Sequence, residues 1–454
     1  MHAATSSAHL PLSVTLIFLA LLVAMVGALA FEEKLHAKKS VITGVFAFVS
    51  LLLGSMFGLL HPSEHSHLPL YIPMIDWSVI VIIFGSSLFI DVTSRSGIFT
   101  WTAVRLTKLS KGDPVKLLWY YAGITVVFSA VLNNVTAMII VGSLSGVSLR
   151  KLGRENLLLG FLLTEGLLTN IGGLLTLISS IPNIIVGTAA NINFVSFLYT
   201  AAPYVLITTL ATLFLAQRIF RIEPLADAEA RREAENLVRS FDENESVESP
   251  TFFAFSWALL GLFILGIATA SVTPYISDLG MGFVAMGFAV IALVRLKHEP
   301  EKAYVKIDWD LLLFFAYLFI VIHVMEGAQV LALIGDGIFA LIGLGETLGP
   351  AALLWSSALA SSVTDNVPLA AVLAKILTST TPPTPTESNL WWATIFGCNL
   401  GGNFTPIGSA STLVAVAIIH KNKLPMSFGG FIAKAAPFAI VQLLLATVYV
   451  LLFL

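Results

Sequence analysis

Two stretches of this sequence hold the side chains whose types and spacing could do chemistry. The first has Asn133, Asn134 and Thr136, followed by Asn170, Gly172, Gly173, Thr176, Ser179, Ser180 and Asn183. The second has Asp365, Asn366 and Pro368, followed by Asn399, Gly401, Gly402, Asn403, Thr405, Pro406, Gly408, Ser409 and Thr412. Apart from Asp365 these polar groups are uncharged amides and hydroxyls. Such groups can hydrogen-bond a small solute or, with freed backbone carbonyls, give oxygens to a cation such as sodium. Asp365 adds a full negative charge, so a sodium ion near Asp365, Asn366 and Thr405 is the one cofactor this set suggests.

Other chemistries lack their residues. No HExxH occurs, no nucleophile and base are recognisably spaced, and no GxxxxGK[ST] loop is present; an enzyme or an ATP-driven pump is therefore not expected. Cys398 is the single cysteine, which rules out an intrachain disulfide, and no Cys/His cluster has zinc-site spacing. Basic residues sit singly rather than in a phosphate-binding stripe, so nucleic acid is not an expected partner.

The elements that must position these residues follow from composition. Of 454 residues, 57% are apolar and 11% charged, too little polar surface to cover a soluble globule. Apolar runs of about 20 residues recur, each long enough to cross a hydrocarbon core of about 30 Å as a helix. Runs such as Ser13 to Phe31 and Val41 to Leu60 are continuously apolar, unlike the alternating segments of a β-barrel. No Lys or Arg precedes Glu32, so the first run reads as a retained helix rather than a signal peptide.

The chain is also written twice. Ile75-Asp76-Trp77 returns as Ile307-Asp308-Trp309, and Asn133-Asn134-Val135 as Asp365-Asn366-Val367, both at an offset of 232. Asn170-Ile171-Gly172-Gly173 returns as Asn399-Leu400-Gly401-Gly402, and Thr176 as Thr405, at an offset of 229. Small polar residues in membranes often do no more than pack helices, but the same types returning at the same spacing argue for a site.

The expected fold is an all-α polytopic membrane protein of two inverted repeats, each with about five crossings, one re-entrant hairpin and one broken helix. Residues 1–222 form the first repeat, 223–250 a polar, partly helical cytoplasmic connector, and 251–454 the second repeat. Crossings in the first half fall near 13–31, 40–60, 75–94, 155–190 and 194–219, and the apolar stretches 115–150 and 350–380 turn back at Asn133-Asn134 and Asp365-Asn366. With the N-terminus outside, 23 of the 24 Lys and Arg lie on one side and only Lys375 opposite, as the positive-inside rule requires. An odd number of crossings per half inverts one repeat relative to the other, the arrangement that places a transporter's binding site near the midplane.

Ionisable groups inside membrane segments are functional candidates by default. Here they are Asp91, Glu165, His323, Glu326, Asp365 and Lys375. Asp365, Glu165, Glu326 and His323 are the proton-coupling candidates, although an ion pair or a snorkelling end is an equal reading for Glu165, His323 and Glu326.

The motifs Thr107 to Pro114 (TKLSKGDP), Ser129 to Thr136 (SAVLNNVT), Asn170 to Gly173 (NIGG) and Gly401 to Ser409 (GGNFTPIGS) resemble the ion transporter superfamily. Within it the likeness is to the P-permease branch, which includes the pink-eyed dilution protein and arsenite permeases, with NhaD-type antiporters as relatives. The resemblance implies hairpin tips that hold sodium and substrate with the adjacent unwound helices, often in a homodimer that moves one domain like an elevator. Three positions depart from the pattern: relatives usually have Asp-Asn where this chain has Asn133-Asn134, Gly-Asp-Pro-Pro-Asn at Ser179 to Asn183, and Asn at Thr412. The first half thereby lacks two carboxylates.

The expected function is secondary transport of a small anion or inorganic solute, coupled to sodium or protons, in a cell membrane, with short loops that favour a bacterial plasma membrane. A sodium/proton antiporter and an arsenite or metalloid efflux permease are the alternatives. A channel or a non-transporting sensor on the same fold is the rival from another class.

Overall fold

The computed structural model describes residues 10–60, 68–380, 382 and 384–454, and every regular element among them is helical. Repeat one runs α1 Leu12–Ala30, α2 Lys39–Met56, α3 Trp77–Ser94, α4 Ile98–Ser110, α5 Pro114–Val131 and α6 Asn134–Lys151. It continues with α7 Leu158–Gly172, α8 Ile181–Ala189 and α9 Phe194–Ile219. The connector holds α10, Ala228–Arg239. Repeat two gives the matching series: α11 Pro250–Thr269, α12 Ile276–Leu293, α13 Trp309–Gly327, α14 Val330–Ile342 and α15 Leu348–Val363. It closes with α16 Asn366–Thr378, α17 Asn389–Gly401, α18 Ala410–Lys421 and α19 Phe428–Phe453.

Nine helices among the described residues are long and apolar enough to cross a bilayer. Eight are the continuous crossings expected from the sequence. The ninth, α5, is the first arm of a hairpin, and the chain turns back at Leu132-Asn133 into α6. α15 and α16 form the second hairpin, turning at Thr364-Asp365. Both expected broken crossings are present as helix, a segment of turns and bends, and helix: α7 and α8 around residues 173–180, and α17 and α18 around 402–409.

Repeated sequence becomes repeated local structure. The Ile-Asp-Trp triplets are helix starts: Asp76 accepts the N–H groups of Ser78 and Val79 at 3.0 and 3.3 Å, and Asp308 accepts that of Leu311 at 3.0 Å. A side-chain oxygen in this position satisfies donors that the first helical turn leaves unpaired. Each Trp indole then donates five residues back, Trp77 to the Ile72 carbonyl (3.1 Å) and Trp309 to that of Tyr304 (3.0 Å).

The helices sort into two bodies. In one, α2 packs on α13 and α3 on α12, so each repeat lends a helix to the other, with α1 and α11 alongside. In the second, the hairpins, the broken crossings, α9 and α19 pack together, again crosswise: α16 lies on α8, and α6 on α18. This interlocking buries the polar stretches of both repeats in one place.

No element is expected between the crossing 75–94 and the stretch 115–150, yet the segment contains the helix α4, and α14 stands at the matching place. The chain enters each through a left-handed residue, Gly97 (φ 84°) and Gln329 (φ 60°), a sharp turn that hydropathy does not register. α4 alone is covered by the connector. Val238 and Phe241 bury against Val104, and Lys151 lies 4.3 Å over the Phe241 ring. Glu235 pairs with Lys111 at 3.5 Å, and Glu243 with Lys108 and, at 3.2 Å, with Arg105. The hydrogen bond from Lys108, with Arg105 behind it, holds the Glu243 carboxyl below the ordinary glutamate range.

Candidate functional site

Each hairpin tip is built by a helix cap. The Asn133 side chain accepts the Thr136 N–H at 2.7 Å, and Asp365 Oδ1 accepts the Val367 N–H at 3.0 Å. Both tips are therefore fixed in place by residues that also open onto solvent.

The second layer fastens each hairpin to its broken crossing, with the same bonds in both repeats. Ser129 donates to the Thr169 carbonyl at 2.5 Å, and Ser361 to that of Cys398 at 2.6 Å. Thr176 donates back to the Ala130 carbonyl at 2.6 Å, and Thr405 to that of Ser362 at 2.5 Å. Across the first break, Asn183 in α8 donates to the carbonyls of Gly173 (2.7 Å) and Thr176 (2.9 Å). The Thr412 hydroxyl lies 3.4 and 3.5 Å from the matching carbonyls of Gly402 and Thr405, and 2.8 Å from that of Ser409. Carbonyls freed by helix breaks are costly at membrane depth unless the protein satisfies them, and these side chains do so. The Asn-to-Thr departure at Thr412 thus leaves one hydroxyl donor, bonded most closely to the Ser409 carbonyl, where Asn183 supplies two amide donors.

The paired glycines stand where the helices stop: α7 ends at Gly172 and α17 at Gly401, with Gly173 (φ −60°, ψ −17°) and Gly402 (φ −59°, ψ −13°) as the capping residues. They also supply room. A Cβ on Gly172 would lie 2.6 Å from the Val126 carbonyl oxygen, and one on Gly401 2.3 Å from that of Ala358. Only a residue without Cβ lets the hairpin backbone come this close.

Across the two repeats, buried asparagines lock together. Asn170 Nδ2 donates to Asn403 (2.8 Å) and Ser409 (2.9 Å), while its Oδ1 accepts from Ser411 at 3.1 Å and, more weakly, from Asn134 at 3.4 Å. Asn399 answers from the other repeat, donating to Asn183 at 2.9 Å and accepting from Ser180 at 2.6 Å. Asn403 also donates to Gln442 Oε1 at 2.8 Å.

In front of this network lies a cavity of about 680 Å³. Of the candidate residues, Asn133, Asn134, Asn170, Ser179, Asp365, Asn366, Gly408 and Ser409 line it. The remainder stand behind as fasteners: Gly172, Gly173, Thr176, Asn183, Asn399, Gly401, Gly402, Asn403, Thr405 and Thr412 do not reach the cavity wall, and Thr136 contributes only its backbone to the tip. The sodium set is divided, with Asp365 and Asn366 on the wall and the Thr405 hydroxyl turned to a backbone carbonyl.

Of the proton-coupling candidates, only Asp365 lines the cavity. Glu165 is fully buried elsewhere, with Ser145 donating to its Oε1 at 2.5 Å. Glu326 pairs with Lys375 at 3.1 Å rather than with His323, which is exposed on the outside of α13. Asp91 is taken by Arg95, one turn on, at 2.7 Å.

Sequence reasoning missed the charges that the other body contributes. Glu32, Lys39, Asp308 and Asp310 also line the cavity. Lys39 Nζ lies 2.5 Å from Asp365 Oδ2 and 3.9 Å from Glu32, and Ser40 donates to Asp310 through its hydroxyl (2.5 Å) and backbone (3.3 Å). One signal was present: Lys39 opens a helix, the end at which a cation is unfavourable.

Residues 5–397 match the family described as CitMHS, citrate transporter. The 46 kDa membrane protein of Mycobacterium leprae is 30% identical over 380 residues, covering 83% of this chain and 86% of that protein. The human P protein is 24% identical over 509 aligned residues, covering 92% of this chain and 60% of its own. Among solved structures, the YdaH transporter of Alcanivorax borkumensis superposes with a TM-score of 0.61 at 14% identity, covering 91% of this chain and 98% of its own. The Neisseria gonorrhoeae MtrF structure does so with a TM-score of 0.58 at 13% identity, covering 92% and 95%. Both share the fold. The match over most of the sequence, together with the duplicated hairpins and helix breaks, establishes that this chain is a membrane transporter belonging to the CitMHS family.

Proposed function

We propose that this protein is an ion-coupled secondary transporter of a small carboxylate-bearing anion of the citrate class, with sodium or a proton taken up at Asp365. The observation that carries the reading is convergence: both hairpin tips and both helix breaks open on one cavity of about 680 Å³. That volume falls within the 300–1,000 Å³ or so typical of small-molecule sites. Amide and hydroxyl groups of Asn133, Asn134, Ser179, Ser180, Asn366 and Ser409 offer hydrogen bonds to a substrate, and the family that residues 5–397 match carries the description citrate transporter.

Charge supports coupling. Among the described residues the cavity wall carries four carboxylates, Glu32, Asp308, Asp310 and Asp365, against the single ammonium of Lys39. A multiply charged anion entering alone would meet net repulsion, so at least one cation must enter with it. The same acidity favours one rival, sodium/proton antiport without an organic substrate.

Uptake of radiolabelled citrate into proteoliposomes, under an imposed sodium or proton gradient, tests the reading. Gradient-dependent citrate accumulation is expected. Sodium-driven proton movement with no citrate uptake would transfer the assignment to antiport, and a response confined to arsenite would transfer it to metalloid efflux.

A further inference from the structure

Lys39 is placed against its local preference. It is the first residue of α2, where the helix's own N–H groups already present positive charge, and nothing in α2 compensates it. The corresponding helix of the second repeat, α12, has no basic residue at its start and carries an acid, Asp278, just before its kink at Gly280. Compensation for Lys39 comes from a residue 326 positions away, Asp365, with Glu32 farther off at 3.9 Å.

The pair joins the two bodies. Lys39 belongs to α2, packed on α13 and α1, while Asp365 belongs to the tip between α15 and α16. Both side chains are partly exposed, 29% and 17%, and both face the cavity. An ion pair this wet contributes little to the fold, but it occupies the carboxylate that a coupling cation needs. Asp365 Oδ1 is already engaged by the Val367 N–H, so Oδ2 is the oxygen for which ammonium and cation would compete.

We propose that Lys39 is the resident cation of the transport site, holding Asp365 while the coupling cation is absent and, once displaced by it, binding the anionic substrate. The proposal rests on the carboxylate-transport reading above. Cation binding then creates the anion site: the incoming cation neutralises Asp365 and the same event frees an ammonium, the only one on the described wall, for a substrate carboxylate. Order of binding follows, cation before anion, and the empty site keeps hairpin two tied to the other body.

The test uses the full-length protein in proteoliposomes, with radiolabelled citrate and a titration of sodium or of protons, whichever drives uptake. K39Q is expected to lower the half-saturating cation concentration at least threefold and to raise the KM for citrate at least tenfold. K39R should keep both within about twofold of wild type. If K39Q changes neither constant by more than twofold, the pair is structural and the proposal falls, while the transport reading stands. If the wild type takes up no citrate under either gradient, the transport reading falls and the proposal with it. Should K39Q fold poorly because Asp365 is left unpaired, the neutral pair K39Q/D365N replaces it. A citrate KM in that double variant raised above that of D365N alone supports a substrate ligand at Lys39, and a KM equal to that of D365N overturns it.

Discussion

The two half-sites are fastened alike and charged differently. Ser129 and Ser361, and Thr176 and Thr405, make the same bonds to matching carbonyls, so each hairpin is held against its broken crossing in the same way. At the tips the symmetry ends: Asn133 caps its helix as a neutral amide, whereas Asp365 does so as an acid that also pairs with Lys39. Position is therefore conserved between the repeats while charge is not. Backbone groups at membrane depth must be satisfied in both halves or neither forms, but a charge is needed only where an ion is handled.

The strongest way to break this comparison is to equalise the tips. Asp365→Asn keeps the cap and removes the charge. Hydrogen bonds to charged groups contribute about 1.5–3 kcal/mol, and about 1.4 kcal/mol is tenfold in affinity, so cation-dependent flux should fall by roughly 10- to 100-fold. Flux assays over a sodium and proton series measure it, and unchanged coupling would mean that the charge difference between the tips is idle.

A second test addresses the shared skeleton. Gly172→Ala and Gly401→Ala each force a Cβ against hairpin backbone, at 2.6 and 2.3 Å, and should each destabilise by about 1–3 kcal/mol. Thermal unfolding of purified protein in detergent reads this, with the larger loss expected at Gly401. A neutral result at both positions would show that the close approach is not required.

Smaller effects sharpen the match between Asn183 and Thr412. Thr412→Val removes one hydroxyl from a cluster of carbonyls and should cost about 1 kcal/mol in the same assay. Thr412→Asn, which makes the halves alike, should cost no more than Thr412→Val if the two residues share one role.

The smallest expected effect lies at the connector, which distinguishes α4 from α14. Glu243 has its carboxyl held below its unfolded range by Lys108 and Arg105. Its contribution is therefore present above the unfolded glutamate pKa of about 4.3 and is lost as pH falls through the lower folded value. Proteolysis of residues 223–250 should accelerate below about pH 4, with a smaller step in Glu243→Gln.

Much of this fold was legible in one dimension. Lengths of apolar runs fixed the crossings, because a bilayer imposes a span, and the Asn-Asn and Asp-Asn pairs marked the hairpin turns, which the structure builds as local helix caps. The duplication, with offsets of 232 and 229, pointed to the two polar sets and to their symmetry. Only tertiary structure decided which of those residues face the cavity and which fasten the scaffold behind it. Asn134 and Ser409 stand on the wall, while Asn399 and Thr412 do not, although all have the same polar character. It also brought in Lys39, Glu32, Asp308 and Asp310, and it separated Glu165, His323 and Glu326 from the site. The reason is the crosswise interlocking of the repeats: contacts such as Lys39 to Asp365 and Asn170 to Asn403 span 326 and 233 residues, and no local period or spacing encodes which distant helix a side chain will meet.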